Sequence, residues 1–282
     1  MSRPRHGVEL APGFVVGNRR SHLPVIAGPC VIESDTLVHE VAETLRRVAS
    51  RLDVQLLFKA SLDKANRSSA DSFRGLGFEE ALAILAEVKI ATGLPVTTDV
   101  HEPRQCDRVA EVVDVLQIPA FLCRQTDLLR AAGRTGCGVT IKKGQFMAPD
   151  DMRRAADKVR ETGNERIAII ERGFSFGYHN LVVDMRSFPT MADDGLVTIH
   201  DATHSLQLPG GGKQTGGTRR FAEPLARAAI AAGADGVFLE VHPRPEEALS
   251  DATTQLRPAR AEALLDSLVR LRAALPTEDA SA

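Results

Sequence analysis

Gly138-Val-Thr-Ile-Lys-Lys-Gly-Gln145 decides the fold: an apolar run with no polar alternation breaks abruptly into cations, a glycine and an amide. A strand that covers a core on one face alternates hydrophobic and polar residues. A continuous apolar run is buried on both faces, as in a parallel sheet with helices outside. Runs of the same kind occupy 24–27, 54–58, 94–98, 112–118, 166–170, 196–199 and 236–239. Stretches of helical periodicity separate them. Leu37, Val41, Leu45, Val48 and Leu52 mark one stripe, and Phe78, Ala81, Leu82, Leu85 and Val88 another. The last segment, 258–275, opens on a proline suited to a first helical turn and carries Leu264, Leu265, Leu268, Val269 and Leu275. Eight runs and eight helical segments close most simply as a (β/α)8 TIM barrel, with a doubly wound open sheet as the alternative on periodicity alone. The sixth crossover, 173–195, is irregular and contains Pro189. A further strand-like piece at 8–16 predicts a short N-terminal β-hairpin covering the barrel bottom. The expected division is an extension with hairpin at 1–20, the barrel at 21–275 and a disordered tail at 276–282.

Composition narrows the function classes. In 282 residues, 43% are hydrophobic and 26% charged, which excludes a disordered or collagenous chain. The 35 basic and 37 acidic residues leave a net charge of -2, so no global field favours nucleic acid or an anionic membrane. Aromatics are 4%, with no Trp and one Tyr, leaving few platforms for stacking bases. Cys30, Cys106, Cys123 and Cys137 form no C-x-x-C pair and fit reduced thiols. No run approaches ~18 apolar residues, and 1–24 lacks a signal-peptide core. The expectation is a cytoplasmic protein that neither spans a membrane nor binds nucleic acid.

In a barrel the active site is built where strands end and the following loops begin. The first run ends in Gly28-Pro29-Cys30, and the second reaches Lys59 with Lys64, Asn66, Arg67 and Ser68 beyond. Then come Asp99, His101 and Glu102; Gln117 and Arg124; Lys142 to Gln145; Glu171 and Arg172; Asp201 and His204; and Glu240, His242 and Asp251. Every strand end is polar, which a purely structural barrel does not require. Lys59, Lys64, Arg67, Arg124, Lys142 and Arg172 would gather on one cavity. Like charges in a desolvated pocket are costly unless anions neutralise them, so phosphate or carboxylate groups are the expected occupants.

Cys30, His204, Glu240 and Asp251 form a second constellation, at the ends of the first, seventh and eighth runs, which closure makes neighbours. Thiolate, imidazole and carboxylate together suit Zn²⁺, Fe²⁺ or Mn²⁺. The bland reading is a buried thiol beside a structural histidine. The Gly-rich segment 209–217 matches neither G-x-x-x-x-G-K-[ST] nor G-x-G-x-x-G, and reads as a mobile loop closing over the site, or as a plain connection.

Six stretches carry a family resemblance: Ile26-Ala-Gly-Pro-Cys-Val-Ile-Glu-Ser34, Phe58-Lys-Ala-Ser-Leu-Asp-Lys-Ala-Asn-Arg-Ser-Ser69, Thr97-Thr-Asp-Val-His-Glu-Pro103, Leu116-Gln-Ile-Pro-Ala-Phe-Leu-Cys-Arg-Gln-Thr-Asp127, Ile141-Lys-Lys-Gly-Gln-Phe-Met-Ala-Pro149 and Asp201-Ala-Thr-His-Ser-Leu-Gln-Leu-Pro-Gly210. From about residue 8 to 272 the chain resembles the 3-deoxy-D-manno-octulosonate 8-phosphate synthases, in their metal-dependent class. The resemblance implies a (β/α)8 barrel, usually a homotetramer with shared active sites. Its reaction condenses phosphoenolpyruvate with D-arabinose 5-phosphate for the inner-core sugar of bacterial lipopolysaccharide. By resemblance Lys59, Lys64, Lys142, Gln145 and Arg172 bind phosphoenolpyruvate, with Lys64 and Lys142 catalytic. Asn66, Arg67, Ser68 and Asp99 lie on the sugar side, Gln117 belongs to the substrate-binding set, and Arg124 is the arginine a neighbouring subunit contributes. Cys30, His204, Glu240 and Asp251 would hold the divalent metal; the metal-free class has Asn at the first of these positions.

Two rivals stand beside that reading. The 3-deoxy-D-arabino-heptulosonate 7-phosphate synthases share the barrel and phosphoenolpyruvate, but typically have Lys-Pro-Arg-Thr where this chain has Lys64-Ala-Asn-Arg-Ser-Ser69. A catalytically dead phosphosugar-binding barrel would have lost a strand-end residue, and none is missing.

Overall fold

A computed structural model describes residues 7–18, 22–65, 73–209 and 216–276. Eight parallel strands form a closed barrel: β1 (Pro24–Gly28), β2 (Gln55–Lys59), β3 (Val96–Asp99), β4 (Val115–Ile118), β5 (Gly138–Lys142), β6 (Ile167–Glu171), β7 (Thr198–Asp201) and β8 (Gly236–Glu240). Each pairs with its sequence neighbours, and β8 closes on β1 with Glu240 beside Gly28. Crossover helices follow in order: α1 (Asp35–Leu52), α2 (Phe78–Thr92), α3 (Pro103–Ala110), α4 (Thr126–Arg134), α5 (Met152–Arg160), α6 (Ser187–Asp193), α7 (Ala222–Ala231) and α8 (Pro258–Ala274). The open-sheet alternative is excluded by the closure. Among the described residues no helix is long and apolar enough to cross a membrane.

Local chemistry explains the elements. The Ser34 side chain accepts from the Leu37 N–H at the start of α1, whose buried face is Val38, Val41, Ala42, Leu45, Val48 and Ala49. Glu102 and Gln105 form a reciprocal capping box at α3, with Pro103 in its first turn. Pro189 sits early in α6, where its missing N–H costs little. The irregular sixth crossover is a two-stranded antiparallel hairpin, Phe174–Ser175 with Leu181–Val182, followed by the short α6.

Two expected runs start too early. Strand β3 begins at Val96 rather than residue 94, and β4 at Val115 rather than 112. The intervening apolar residues belong to turns, where the Asp114 carboxylate accepts from the Val96 N–H and the Lys89 ammonium. Strands β2, β5, β6, β7 and β8 end one or two residues beyond the expected run, so that the charged residue closes the strand itself.

The N-terminal hairpin pairs Val8–Ala11 with Phe14–Val16 and covers the bottom of the barrel. Leu10, Phe14 and Val16 join Ile26, Leu57, Val115, Ile170, Ile199 and Phe238 in an apolar cluster inside the strands. A Cβ on Gly138 would run into the Leu10 carbonyl, so this close approach requires glycine. A larger apolar layer lies between strands and helices. Of the expected tail, residues 277–282 lie outside the described residues.

Candidate active site

The cavity opens at the C-terminal ends of the strands and measures about 260 Å³. Strand alternation aims the last residue of β2, β5 and β8 inward, and the strand-end charges meet there. Lys59, from β2, is 1% exposed. Its Nζ donates to the Cys30 carbonyl (3.0 Å) and Ser61 Oγ (2.8 Å) and lies 3.4 Å from Glu240 Oε1. Lys64 Nζ also donates to Ser61 Oγ (3.0 Å), and that hydroxyl donates to Asp99 Oδ2 (2.5 Å). Gln117 Nε2 donates to the other Asp99 oxygen beneath the cavity floor. Burial alone would raise the Asp99 pKa, but the ammonium groups of Lys59, Lys64 and Lys142 hold its carboxyl far below the usual carboxylate range.

Lys142, closing β5, donates to Asp201 Oδ2 (3.0 Å) and stands 4.1 Å over the Phe238 ring centroid. Arg172, just after β6, is buried, and burial pushes its pKa down from the usual guanidinium range. One of its terminal nitrogens donates to Gln207 Oε1 (2.8 Å); the other, and Gln145 Oε1, have no hydrogen-bond partner among the described residues. Both residues line the cavity beside three lysines. Such a lining is built for a small polyanion.

Against these lysines the thiol and carboxylates converge. Single donor atoms of Cys30, Glu240 and Asp251 lie within 4.8 Å of one another. The Cys30 Sγ donates to Asp251 Oδ2 (3.2 Å) and is 2.9 Å from Ser250 Oγ. His204 Nε2 lies 3.4 Å from Glu240 Oε1 and 3.6 Å from Asp251 Oδ2. Asp201 Oδ2 holds the other ring nitrogen at 2.8 Å, which leaves Nε2 facing the carboxylates, the usual arrangement behind a metal-binding histidine. Glu240 Oε2 is buried without a partner among the described residues. A protonated thiol, two facing carboxylates and an orphaned oxygen make an incomplete set on their own. The chemistry of the donors fits a divalent transition metal.

Thus Lys59, Lys64, Asp99, Lys142, Gln145, Arg172, His204 and Asp251 line one cavity, and Cys30, Glu240 and Gln117 are buried against Asp251, His204 and Asp99 behind it. Arg124 does not line it: the residue is exposed on the rim side of β4. Asn66, Arg67 and Ser68 lie outside the described residues, as do 210–215 of the Gly-rich segment, whose base pairs Gln207–Leu208 with Gly216–Gly217.

Sequence reasoning gave no role to Asp201, Ser61, Ser250 or Gln255. The 0%-exposed Gln255 accepts from the Cys30 N–H (3.3 Å) and donates to the Ser250 carbonyl (2.8 Å), tying the thiol strand end to the Asp251 loop. Asp201 was visible as a strand-end carboxylate; its double grip on Lys142 and His204 depends on the 3-10 turn at His204–Leu206.

The model of the DAHP synthetase I family matches residues 11–276. A 2-dehydro-3-deoxyphosphooctonate aldolase of Desulfatibacillum aliphaticivorans is 53% identical over 267 residues, 93% of this chain and 98% of the relative. Proteins of the same name from Geobacter metallireducens and Magnetococcus marinus are each 56% identical, covering 86% and 89% of this chain and 90% and 88% of their own. The chain belongs to the DAHP synthetase I family, in the branch of the 2-dehydro-3-deoxyphosphooctonate aldolases.

Proposed function

We propose that this chain condenses phosphoenolpyruvate with D-arabinose 5-phosphate and water, releasing phosphate and the eight-carbon 3-deoxy-D-manno-octulosonate 8-phosphate of lipopolysaccharide core synthesis. The observation that carries this reading is the cavity lined by Lys59, Lys64, Lys142 and Arg172 inside a chain whose relatives are named for that octonate. A family-level match alone would equally admit the seven-carbon synthase; relatives above half identity favour the eight-carbon product.

In this reading Lys142, Gln145 and Arg172 hold the carboxylate and phosphate of phosphoenolpyruvate, and Lys59 and Lys64 complete the cationic wall. Asp99, Asn66, Arg67 and Ser68 take the sugar phosphate. The methylene carbon of phosphoenolpyruvate attacks the aldehyde carbon, and water adds to the carbon left electron-poor. The tetrahedral product then expels phosphate by carbon–oxygen cleavage. Lys64 and Lys142 act as catalytic residues by supplying positive charge where the aldehyde oxygen becomes anionic. Alignment of two anions in one cavity supplies much of the remaining advantage. Cys30, His204, Glu240 and Asp251 would hold Zn²⁺, Fe²⁺ or Mn²⁺, which when bound offers a Lewis acid for the aldehyde or an activated water. Asp201 holds the His204 ring in the tautomer that presents Nε2.

The reading includes a cytoplasmic homotetramer in which Arg124 reaches a neighbouring site. Its support is that Arg124 is exposed and does not line its own cavity. Mixing Arg124→Ala chains with Lys142→Ala chains should restore part of the activity, and hybrids no better than their parents would place each site within one chain.

Phosphate release from phosphoenolpyruvate, with D-arabinose 5-phosphate against D-erythrose 4-phosphate, tests the whole. Turnover with the five-carbon sugar and little with the four-carbon sugar is expected. The reverse preference would reassign the chain to seven-carbon synthesis, and turnover with neither would leave a binding barrel.

A further inference from the structure

Consecutive lysines at the end of a strand point to opposite faces. Lys142 enters the cavity, so Lys143 is driven into the layer outside the barrel, where it is fully buried. Its Nζ donates to the carbonyls of Gly144 (3.2 Å) and Met147 (3.3 Å), and lies 3.5 Å over the Phe174 ring centroid. Glu171 Oε1 is 3.5 Å away. Glu171 closes β6, is also fully buried, and the same oxygen accepts from the Gly173 N–H at 2.6 Å.

The sequence neighbours give this pair its meaning. The carbonyls gripped by Lys143 flank Gln145, and the N–H gripped by Glu171 is that of the residue after Arg172. The Ser175 N–H closes the same unit by donating to the Gln145 carbonyl at 2.9 Å. Gln145 and Arg172, two lining residues with atoms unpaired among the described residues, therefore sit on backbone stapled by one ion pair. Stability is a poor explanation for it. Desolvating two charges costs more than such a pair generally returns, and replacing one by apolar residues of similar size is often neutral or stabilising. Burial here pushes the Glu171 carboxyl up and the Lys143 ammonium down, each towards neutrality.

We propose that Lys143 and Glu171 are positioning residues that fix the spacing between Gln145 and Arg172 and so set the grip on phosphoenolpyruvate; the proposal rests on the functional reading above. Neither residue touches substrate. A displacement of about 1 Å in a group that orients a reactant costs on the order of 10²-fold in rate.

The double variant Lys143→Met/Glu171→Leu tests it. It should melt at or above the wild-type temperature, with KM for phosphoenolpyruvate raised at least tenfold and KM for D-arabinose 5-phosphate little changed. The charge-swapped variant Lys143→Glu/Glu171→Lys should not recover wild-type kinetics, because a carboxylate cannot donate to the Gly144 and Met147 carbonyls and an ammonium cannot accept from Gly173. Wild-type kinetics in a folded double variant, or in the swapped one, would overturn the proposal. Should the double variant fail to fold, calorimetric phosphoenolpyruvate affinity of Glu171→Gln decides, and wild-type affinity there also overturns it. Arg172→Ala separates the two levels. If that variant uses phosphoenolpyruvate normally, the reading of the site falls and the clamp with it. If it loses phosphoenolpyruvate while the double variant keeps it, only the clamp falls.

Discussion

The two ends of the barrel are made from the same eight strands and obey opposite rules. At the bottom, the hairpin presses Leu10, Phe14 and Val16 against strand-borne apolar side chains, and Gln55 adds a polar staple, accepting from the Val15 N–H and donating to the His22 carbonyl. At the top, each strand hands over to a lysine, an amide or a carboxylate within a few residues. Phe238 marks the boundary, with the apolar cluster on one side and Lys142 and His204 on the other. The bottom shows what closing the barrel requires. The top carries charges that folding does not need and that bear on stability chiefly as a cost.

Phe14→Ala should produce the largest change in stability. The ring is almost fully buried, and its removal leaves a cavity that the strands cannot collapse into. A loss of about 3–5 kcal/mol is expected in denaturant titration, with turnover per folded molecule unchanged. A comparable fall in turnover would join the two ends functionally and break the contrast.

At the other end, Lys142→Ala should lower kcat/KM for phosphoenolpyruvate by on the order of 10²–10³-fold, the range for one lost charge-stabilising donor. Steady-state phosphate release measures it, and normal use of limiting phosphoenolpyruvate would contradict the assignment.

The wall between the ends supplies a pH signature. His200 is on the outer face of β7, edge-on to Phe188 of α6, with no partner for either ring nitrogen among the described residues. Burial pushes its pKa down to about 4, so the folded protein holds it neutral while the unfolded chain binds a proton below ~6.5. Its contribution is complete above the unfolded value and is lost as pH falls from there towards 4, an effect of about 3 kcal/mol. Melting curves across that window should fall less steeply for His200→Leu, and identical slopes would place the histidine in contact with water.

How much of this contrast was legible in the sequence depended on the range of the interaction. Runs such as Gly138-Val-Thr-Ile-Lys142 showed both the buried strand and the sudden charge, because period and composition are local. The apolar residues at 94 and 112–113 were read into strands because a turn held by Asp114 looks apolar from its neighbours. Gln255 was invisible, since its bond to Cys30 spans 225 positions and nothing near it in sequence marks it. The sequence shows Lys143 beside Lys142 without a role, because the facing of two adjacent lysines is settled only once the strand end is placed. The roles of Asn66, Arg67 and Ser68 rest on resemblance alone, those residues lying outside the described ones.

A smaller effect sharpens the top end. Asp201→Asn keeps the shape of the side chain but loses the charge shared by Lys142 Nζ and His204 Nδ1. Metal affinity and turnover should each fall about 10–100-fold, the range for an outer partner of a ligating histidine. Competition with a chromophoric chelator reads the first and phosphate release the second; wild-type values in both would detach Asp201 from the site.

The charged mouth serves ligands and not the fold. Melting curves of the wild type and Arg172→Ala, with and without phosphoenolpyruvate, test it most directly. Phosphoenolpyruvate at a hundred times its dissociation constant should stabilise the wild type by about 2.7 kcal/mol. Arg172→Ala should melt no lower than the ligand-free wild type, because it removes a buried guanidinium with an unspent donor, and phosphoenolpyruvate should barely shift it. An Arg172→Ala protein that melts as low as Phe14→Ala yet is stabilised by phosphoenolpyruvate like the wild type would show that the mouth holds the barrel together and binds nothing there.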